Sequence, residues 1–251
     1  MDGYPDYSYP PGLFARLALD IVLLRRRDFH QDAKDCIENL HPPLRVLGQE
    51  HIPRQGPCVI TINHHHRPGF GAQWLALAVA AVIPAPVHWI ITGEWTHPTA
   101  WYRLMGVAGS RILLKRIAHI YGFTTMPPMP PRPSDVEARA AAVRAVLEYV
   151  RRTARPVLGL APEGHDPPGG VLTRPAPGVG RFGLLLAKAG LAFIPVGAYE
   201  EDGSFQLQFG KRYELRVKGD LSADDKDRCA MEIMMKNIAP LLPLHLRGEF
   251  A

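Results

Sequence analysis

Cysteine and aromatic residues are scarce in this sequence. The three cysteines, Cys36, Cys58 and Cys229, are odd in number and far apart, which excludes a disulfide framework and a paired-cysteine metal motif. We therefore expect a reducing compartment. Only 8% of the 251 residues are aromatic, and no RNP-like stretch combines aromatic and basic residues on one strand. A nucleic-acid partner is not expected.

Long, uninterrupted apolar runs are also lacking. Residues 74–91 are apolar, but Pro84 and Pro86 divide them, which predicts a buried helix, a turn and a strand. Residues 13–24 (LFARLALDIVLL) are too few to cross a bilayer, which takes ~20 apolar residues. With the arginines at 25–27 they predict an amphipathic helix that lies on a membrane surface or packs on the domain's own core. The N-terminus has no signal-peptide pattern.

Basic residues exceed acidic ones, with a formal net charge of +5 and a pI near 9.2. This excess, together with the amphipathic helix, favours an anionic partner such as a membrane surface. We expect the protein to be cytoplasmic and peripheral on the inner face of a membrane. Its composition, 47% hydrophobic and 21% charged, is that of a globular protein.

Strands alternate with helices along the chain, which predicts an α/β fold: a single domain with a central, largely parallel sheet flanked by helices. Residues 1–42 form an N-terminal amphipathic helical segment and residues 43–251 the α/β domain. Ser134 and Glu137 predict a capping box at the start of a helix. The predicted strands lie within 43–53 and at 58–63, 87–92, 122–126, 156–161 and 192–200, with a strand pair over 205–217. The predicted helices lie at 13–24, 71–82, 98–106, 111–118, 134–152, 179–189 and 222–239.

Three consecutive histidines, at 64–66, follow the strand at 58–63. On an extended chain His64 and His66 share one face and His65 points away. A metal ion would need a third ligand from elsewhere, and no HExxH or paired-cysteine spacing supports one, so no metal site is predicted. Hydrogen bonds that cap the strand end are the structural alternative. The side chains available as a third ligand are His88, His97, Glu163 and Asp166.

The segment GVGRFG at 178–183 fits the dinucleotide pattern G-x-G-x-x-G. No strand precedes it, so a nucleotide site is not predicted. We expect instead a glycine-rich start to a helix, with N–H groups free for an anion.

Two polar clusters, NHHHRPG at 63–69 and PEGHD at 162–166, follow predicted strands, where α/β sheets bind ligands. Together they resemble the glycerolipid and lysophospholipid acyltransferase family. The first cluster, preceded by GPCVITI, is similar to the start of the family's N-H-x4-D motif, and APEGHD is similar to its F-P-E-G-T-R block. VLGQEHIPRQG at 46–56, GFTTM at 122–126 and IPVGA at 194–198 fall where the family has its other characteristic segments.

The resemblance implies transfer of an acyl group from acyl-CoA or acyl carrier protein to a hydroxyl of a lipid precursor. The thioester is a cosubstrate, and no tightly bound cofactor is implied. His64 would be the general base that takes the proton of the hydroxyl as it attacks the thioester. The substrate-binding residues implied are Asn63, Pro162, Glu163, Gly164 and His165.

The sequence departs from the family at two points. Gly69 stands where the motif has the acid that orients the histidine, so Asp166, Glu94 or His66 would have to orient His64. His165 and Asp166 replace the threonine and arginine of the second block, and GFTTM lacks an arginine. The acceptor is then less charged, or its anion is bound by Arg174, Arg181 or the glycine-rich helix start.

Two other functions stay open. A catalytically weakened relative would bind lipid or acyl chains without transferring them. A metal-dependent hydrolase would use the cluster from His64 to His66.

Overall fold

The structure, a computed structural model, describes residues 4–95 and 100–251, apart from the side chains of residues 100–105. Its strands are β1 (Arg45–Leu47), β2 (Cys58–Ile62), β3 (Val87–Thr92), β4 (Thr124–Met126), β5 (Val157–Leu160), β6 (Ala192–Glu201) and β7 (Ser204–Phe209). Its helices are α1 (Pro11–Leu23), α2 (Phe29–Ile37), α3 (Gln73–Val82), α4 (Ala100–Tyr121), α5 (Val136–Arg152), α6 (Val179–Lys188) and α7 (Ala223–Ile238). Among these residues no helix is both long and apolar enough to cross a membrane.

The strands form one sheet in the order β1-β7-β6-β2-β5-β3-β4. Neighbouring strands are parallel except β6 and β7, which form an antiparallel hairpin. This confirms the predicted α/β fold with a largely parallel sheet. All residues of β2 are buried, as expected for a β-branched strand with a neighbour on each side.

Helices cover both faces of the sheet. Ile60 and Ile62 of β2 face one core, which also takes residues of α2 and α3. Val59 faces the opposite core, which is built with α5, α6 and α7. Apolar side chains alternate between the two faces along the strand, so the sheet is buried on both sides and its polar groups concentrate at its edges.

The N-terminal segment contains a helix, α2, that the sequence did not predict. Asp28 caps it by accepting hydrogen bonds from the backbone N–H groups of His30 and Gln31. Leu13 of α1 and most apolar residues of α2 belong to the same core as β2. The predicted helix at 13–24 is thus observed as α1, and the described part of the N-terminal segment packs on the α/β domain through Leu13 and α2.

Two local predictions on α4 and α5 are wrong. The helices expected at 98–106 and 111–118 are one continuous helix, α4, and residues 96–99 lie outside the described range. The capping box at the start of α5 is absent: α5 begins at Val136 after a 3₁₀ turn, and no side-chain cap bonds its first N–H groups. Because Ser134 lies inside that turn, its hydroxyl donates to Asp135 instead.

The strand pair predicted over 205–217 is only half correct. Its first half is β7, which pairs with β6 rather than with the residues that follow it. In the second half Tyr213 makes a single antiparallel bridge with Phe193. The chain therefore runs along β6 without forming a further strand.

The glycine-rich start of α6 does not hold free N–H groups. The Asp227 carboxylate accepts from the N–H groups of Gly178 and Arg181 at 2.7 and 2.6 Å. A Cβ added at Gly180 would overlap the backbone carbonyl oxygen of Asp227 and lie 2.7 Å from the nitrogen of Met231. The glycines thus allow α6 and α7 to touch, and the expected anion site is already occupied by a carboxylate of the chain itself.

We predict that Gly180→Ala lowers the free energy of unfolding by about 1–3 kcal/mol or more, because its methyl group meets backbone that cannot rotate away. Urea unfolding midpoints measure the effect. Gly109→Ala is the matched control, since Gly109 lies inside α4 with no heavy atom within 4 Å of the added Cβ. That change should leave stability unchanged or raise it by up to ~1 kcal/mol. Equal midpoints for both variants would contradict the close helix contact.

Candidate functional site

The two polar clusters meet at the carboxyl edge of the sheet. β2 lies between β5 and β6, so the turn after β2 emerges between the ends of both neighbours. The backbone N–H of His64 donates to the Oε2 atom of Glu163 at 2.7 Å. These two residues, 99 positions apart in the sequence, are thus in direct contact.

Side chains of the turn after β2 alternate between its two neighbours. Asn63 is buried, and its amide donates to the carbonyl of Ala198 at 2.9 Å and accepts from the Ala198 N–H at 2.7 Å. His65 and Arg67 contact Glu200, also on β6. His64 and His66 point to the opposite side, as expected for an extended chain.

Asp166 lies beside the rings of His64 and His66. Its Oδ1 atom is 3.3 Å from Nδ1 of His64, and its Oδ2 atom is 3.8 Å from Nδ1 of His66. The hydrogen bond to His64 and the nearby histidines lower the pKa of Asp166, while burial opposes them. An ionised Asp166 favours the tautomer of His64 that carries the proton on Nδ1 and leaves the lone pair on Nε2. The contact can therefore orient the ring of His64.

Glu163 is enclosed and serves as a clamp. Its Oε1 atom accepts from the backbone N–H and the hydroxyl of Thr173 at 2.7 and 3.0 Å, while Oε2 accepts from His64. Burial raises its pKa, and these hydrogen bonds oppose the rise. Because Glu163 has no exposed surface, its carboxylate shapes the turn rather than reaching solvent.

The remaining residues of the second cluster surround that clamp. Pro162 is buried, and Gly164 has a φ of +68°, a left-handed conformation that glycine adopts without strain. The His165 ring binds the carbonyl of Glu163 through Nδ1 at 2.8 Å, and its Nε2 atom lies 3.4 Å from the hydroxyl of Thr173. His165 and Asp166 are the exposed side chains of the cluster.

Glu94 does not orient His64. Its two carboxylate oxygens accept from Arg111 at 2.5 Å and from Arg132 at 2.7 Å, which hold its pKa below the ordinary value although burial opposes them. Asp166 occupies the place beside the ring instead.

Arg174 and Arg181 are also engaged elsewhere. Arg174 pairs with Glu249 at 2.5 Å and Arg181 with Asp224 at 3.1 Å. Each guanidinium thus has an exposed carboxylate of the chain as its partner. The structure thus gives Glu94, Arg174 and Arg181 partners that the sequence did not indicate, because the contacts of long side chains cannot be read from sequence positions.

Nothing in the described part of the chain groups three or more histidine, cysteine, aspartate or glutamate side chains as metal ligands. His88 stacks on Tyr149 and contacts the hydroxyl of Thr124, so it does not reach the histidine turn. His97 lies outside the described residues.

The sequence did not single out four residues that complete the site. Glu200, Arg67 and Tyr7 form a partly buried network behind the histidine turn, and Thr173 completes the Glu163 clamp. Glu200 lies near the carboxyl end of β6, the same kind of position as the two polar clusters. That placement was the available signal for it.

Comparisons with known proteins bear on the fold. No protein-family model and no curated protein sequence matches the chain. Among solved structures, the 1-acyl-sn-glycerophosphate acyltransferase PlsC from Thermotoga maritima matches with a TM-score of 0.52 and 14% sequence identity. The match covers 91% of this chain and 89% of that one. At this identity it shows a shared fold over nearly the whole of both chains.

We predict that Asn63→Asp destabilises the protein near neutral pH by about 3 kcal/mol or more, because a buried carboxylate would face the Ala198 carbonyl. When the introduced carboxyl is protonated, its O–H group can again donate to the Ala198 carbonyl. Folding therefore raises the pKa of the introduced carboxyl, and the variant regains stability as pH falls towards ~4, the ordinary range of aspartate.

Unfolding curves of both proteins between neutral and acidic pH measure this difference. Asn39→Asp makes the same chemical change on an exposed helix end and should shift stability by less than ~1 kcal/mol. A loss for Asn63→Asp that does not depend on pH would contradict the assigned hydrogen bonds.

Proposed function

We propose that the chain transfers an acyl group from a thioester, acyl-CoA or acyl carrier protein, to a hydroxyl of a lipid precursor. The observation that carries the proposal is the His64 ring held by Asp166, beside a turn clamped by Glu163. The fold shared with an acyltransferase supports it. In this proposal Asn63 positions the turn, and Pro162, Gly164 and His165 shape the acceptor side.

The chemistry follows from the imidazole. Asp166 holds Nδ1–H of His64, and Nε2 accepts the proton of the acceptor hydroxyl as its oxygen attacks the thioester carbonyl. Collapse of the tetrahedral intermediate releases the thiolate, which then takes that proton from the imidazolium. Charge and protons balance over the two steps, so the protein needs no redox partner.

Asp166 takes over the role of the motif acid missing at Gly69. Gly69 has a φ of +85°, where an aspartate would be strained. The acid therefore reaches the ring from the loop after β5 rather than from the histidine's own turn. Parallel pairing of β2 and β5 brings the two loops together.

We predict that His64→Ala abolishes transfer of labelled acyl groups from acyl-CoA or acyl carrier protein. Asp166→Asn should lower kcat on the order of 10²–10⁴-fold with little change in KM, because the amide no longer favours the required tautomer. Assays with phosphorylated and uncharged lipid alcohols as acceptors, for both donors, measure the effect and identify the acceptor.

Two controls accompany this experiment. Glu94→Gln removes the acid that pairs with arginines, and Asp220→Asn changes an exposed loop aspartate; both should leave kcat within about threefold. Transfer that is equal in wild type and His64→Ala would contradict the assigned base. Lipid binding without transfer would favour the binding protein, and activity lost to chelators and restored by zinc would favour the hydrolase.

We also propose that α1 lies on an anionic membrane surface. Its apolar residues Phe14, Leu19 and Val22 are 59%, 53% and 63% exposed, and Arg25 and Arg26 follow on the exposed end. Arg27 is not part of this surface, because it pairs with Asp20 and Asp32. An exposed apolar helix face followed by arginines suits an interface with lipid phosphates.

We predict that the protein sediments with vesicles containing anionic phospholipid and that salt weakens this binding. Val22→Glu should reduce the bound fraction at least about tenfold, since it places a charge in the apolar face. Val136→Glu is the matched control, because Val136 is 66% exposed at the start of α5. Equal binding of both variants would contradict α1 as the contact surface.

A further inference from the structure

Glu200 is a buried carboxylate that the proposed reaction leaves without a role. Its side chain is 1% exposed. Oε1 accepts from the hydroxyl of Tyr7 and from Nη2 of Arg67, both at 2.8 Å. Oε2 accepts from Nε of Arg67 at 2.5 Å and lies 3.0 Å from Nε2 of His65. Against the opposing effect of burial, these hydrogen bonds lower the pKa of Glu200 to about 2.

This network removes charged groups from water, which opposes folding. Burying a charge pair stabilises a protein no better than apolar residues of the same volume. The Nδ1 atom of His65 is also buried and, within the described residues, without a hydrogen-bond partner. Leucine or phenylalanine side chains would need neither an ion pair nor a partner for Nδ1, so stability alone does not explain this network.

The side chains of the histidine turn point alternately to its two sides, and the network holds those on one side. Asn63, His65 and Arg67 are all tied to β6, two of them through Glu200. In an extended chain, fixing every second residue fixes the direction of those between. The contacts of Glu200 thereby set the direction in which His64 and His66 leave the backbone towards Asp166.

We propose that Glu200 is a positioning residue for His64, acting through His65 and Arg67. Tyr7 of the N-terminal segment supports Glu200 through the hydrogen bond that its hydroxyl donates. Tyr7 also packs against Phe70 and Trp74, which anchor the segment over the turn. The expected change in kcat rests on the proposed function. The expected change in the tautomer of His64 does not depend on any reaction.

The test compares Glu200→Gln with Glu201→Gln, which makes the same change on the exposed neighbour. Glu200→Gln should lower kcat about 10- to 100-fold with KM nearly unchanged, because the base is misdirected while the substrate surface is intact. Glu201→Gln should leave both parameters unchanged. Tyr7→Phe, which keeps the ring and removes one donor, should give a smaller fall in kcat.

A second readout does not require turnover. In ¹⁵N spectra of histidine-labelled protein, wild-type His64 should show a protonated Nδ1 and an unprotonated Nε2 at a pH above its titration. Glu200→Gln should shift this ring towards a mixture of tautomers, and Glu201→Gln should not. Circular dichroism identifies variants that have not folded. If Glu200→Gln does not fold, Tyr7→Phe serves as the test variant in its place.

The outcomes separate the two proposals. If wild type transfers no acyl group but the His64 signals respond to Glu200→Gln, the positioning role stands and the proposed reaction fails. If folded Glu200→Gln keeps the kcat and the His64 spectrum of Glu201→Gln, or if only KM changes, Glu200 is not a positioning residue.

Discussion

The parallel hydrogen bonding of β2 between β5 and β6 is the constraint on which the site depends. It brings the carboxyl ends of three strands to one edge, although their residues are 99 to 135 positions apart in sequence. The turn after β2 then has acidic residues on both sides. Because its side chains alternate, one side receives the histidines at 64 and 66 and the other receives Asn63, His65 and Arg67.

Three carboxylates at this edge have different environments and therefore different roles. Burial raises the pKa of Glu163, whose donors are mainly backbone N–H groups. Arginine, histidine and tyrosine donors lower the pKa of Glu200. Asp166 is half exposed and carries its charge beside imidazole. In the proposed mechanism the two buried acids fix the backbone and the direction of side chains, and the half-exposed Asp166 acts on the ring of His64.

The sequence predicts the parts of this arrangement that follow from local pattern. Alternating strands and helices indicate the parallel sheet, and polar clusters after β2 and β5 indicate the edge where a site forms. It does not predict which acid meets His64, because Asp166 and Glu94 both follow strands, and only the strand order shows that β5, before Asp166, is the neighbour of β2. The expectation of an anion site at the glycine-rich start of α6 failed for a similar reason. The carboxylate that accepts from its N–H groups comes from α7, which is distant in the sequence.

The proposed role of Asp166 as the orienting acid is consistent with the geometry of the sheet. An acid acts on an imidazole through position and charge, so it can come from any segment that reaches the ring, as unrelated hydrolases with different residue orders illustrate. In a parallel sheet the loop after a neighbouring strand lies as close as the histidine's own turn. Gly69 lies in a left-handed turn and Asp166 lies on the loop after β5, beside the ring of His64, so the proposed base does not require an acid in the histidine's own turn.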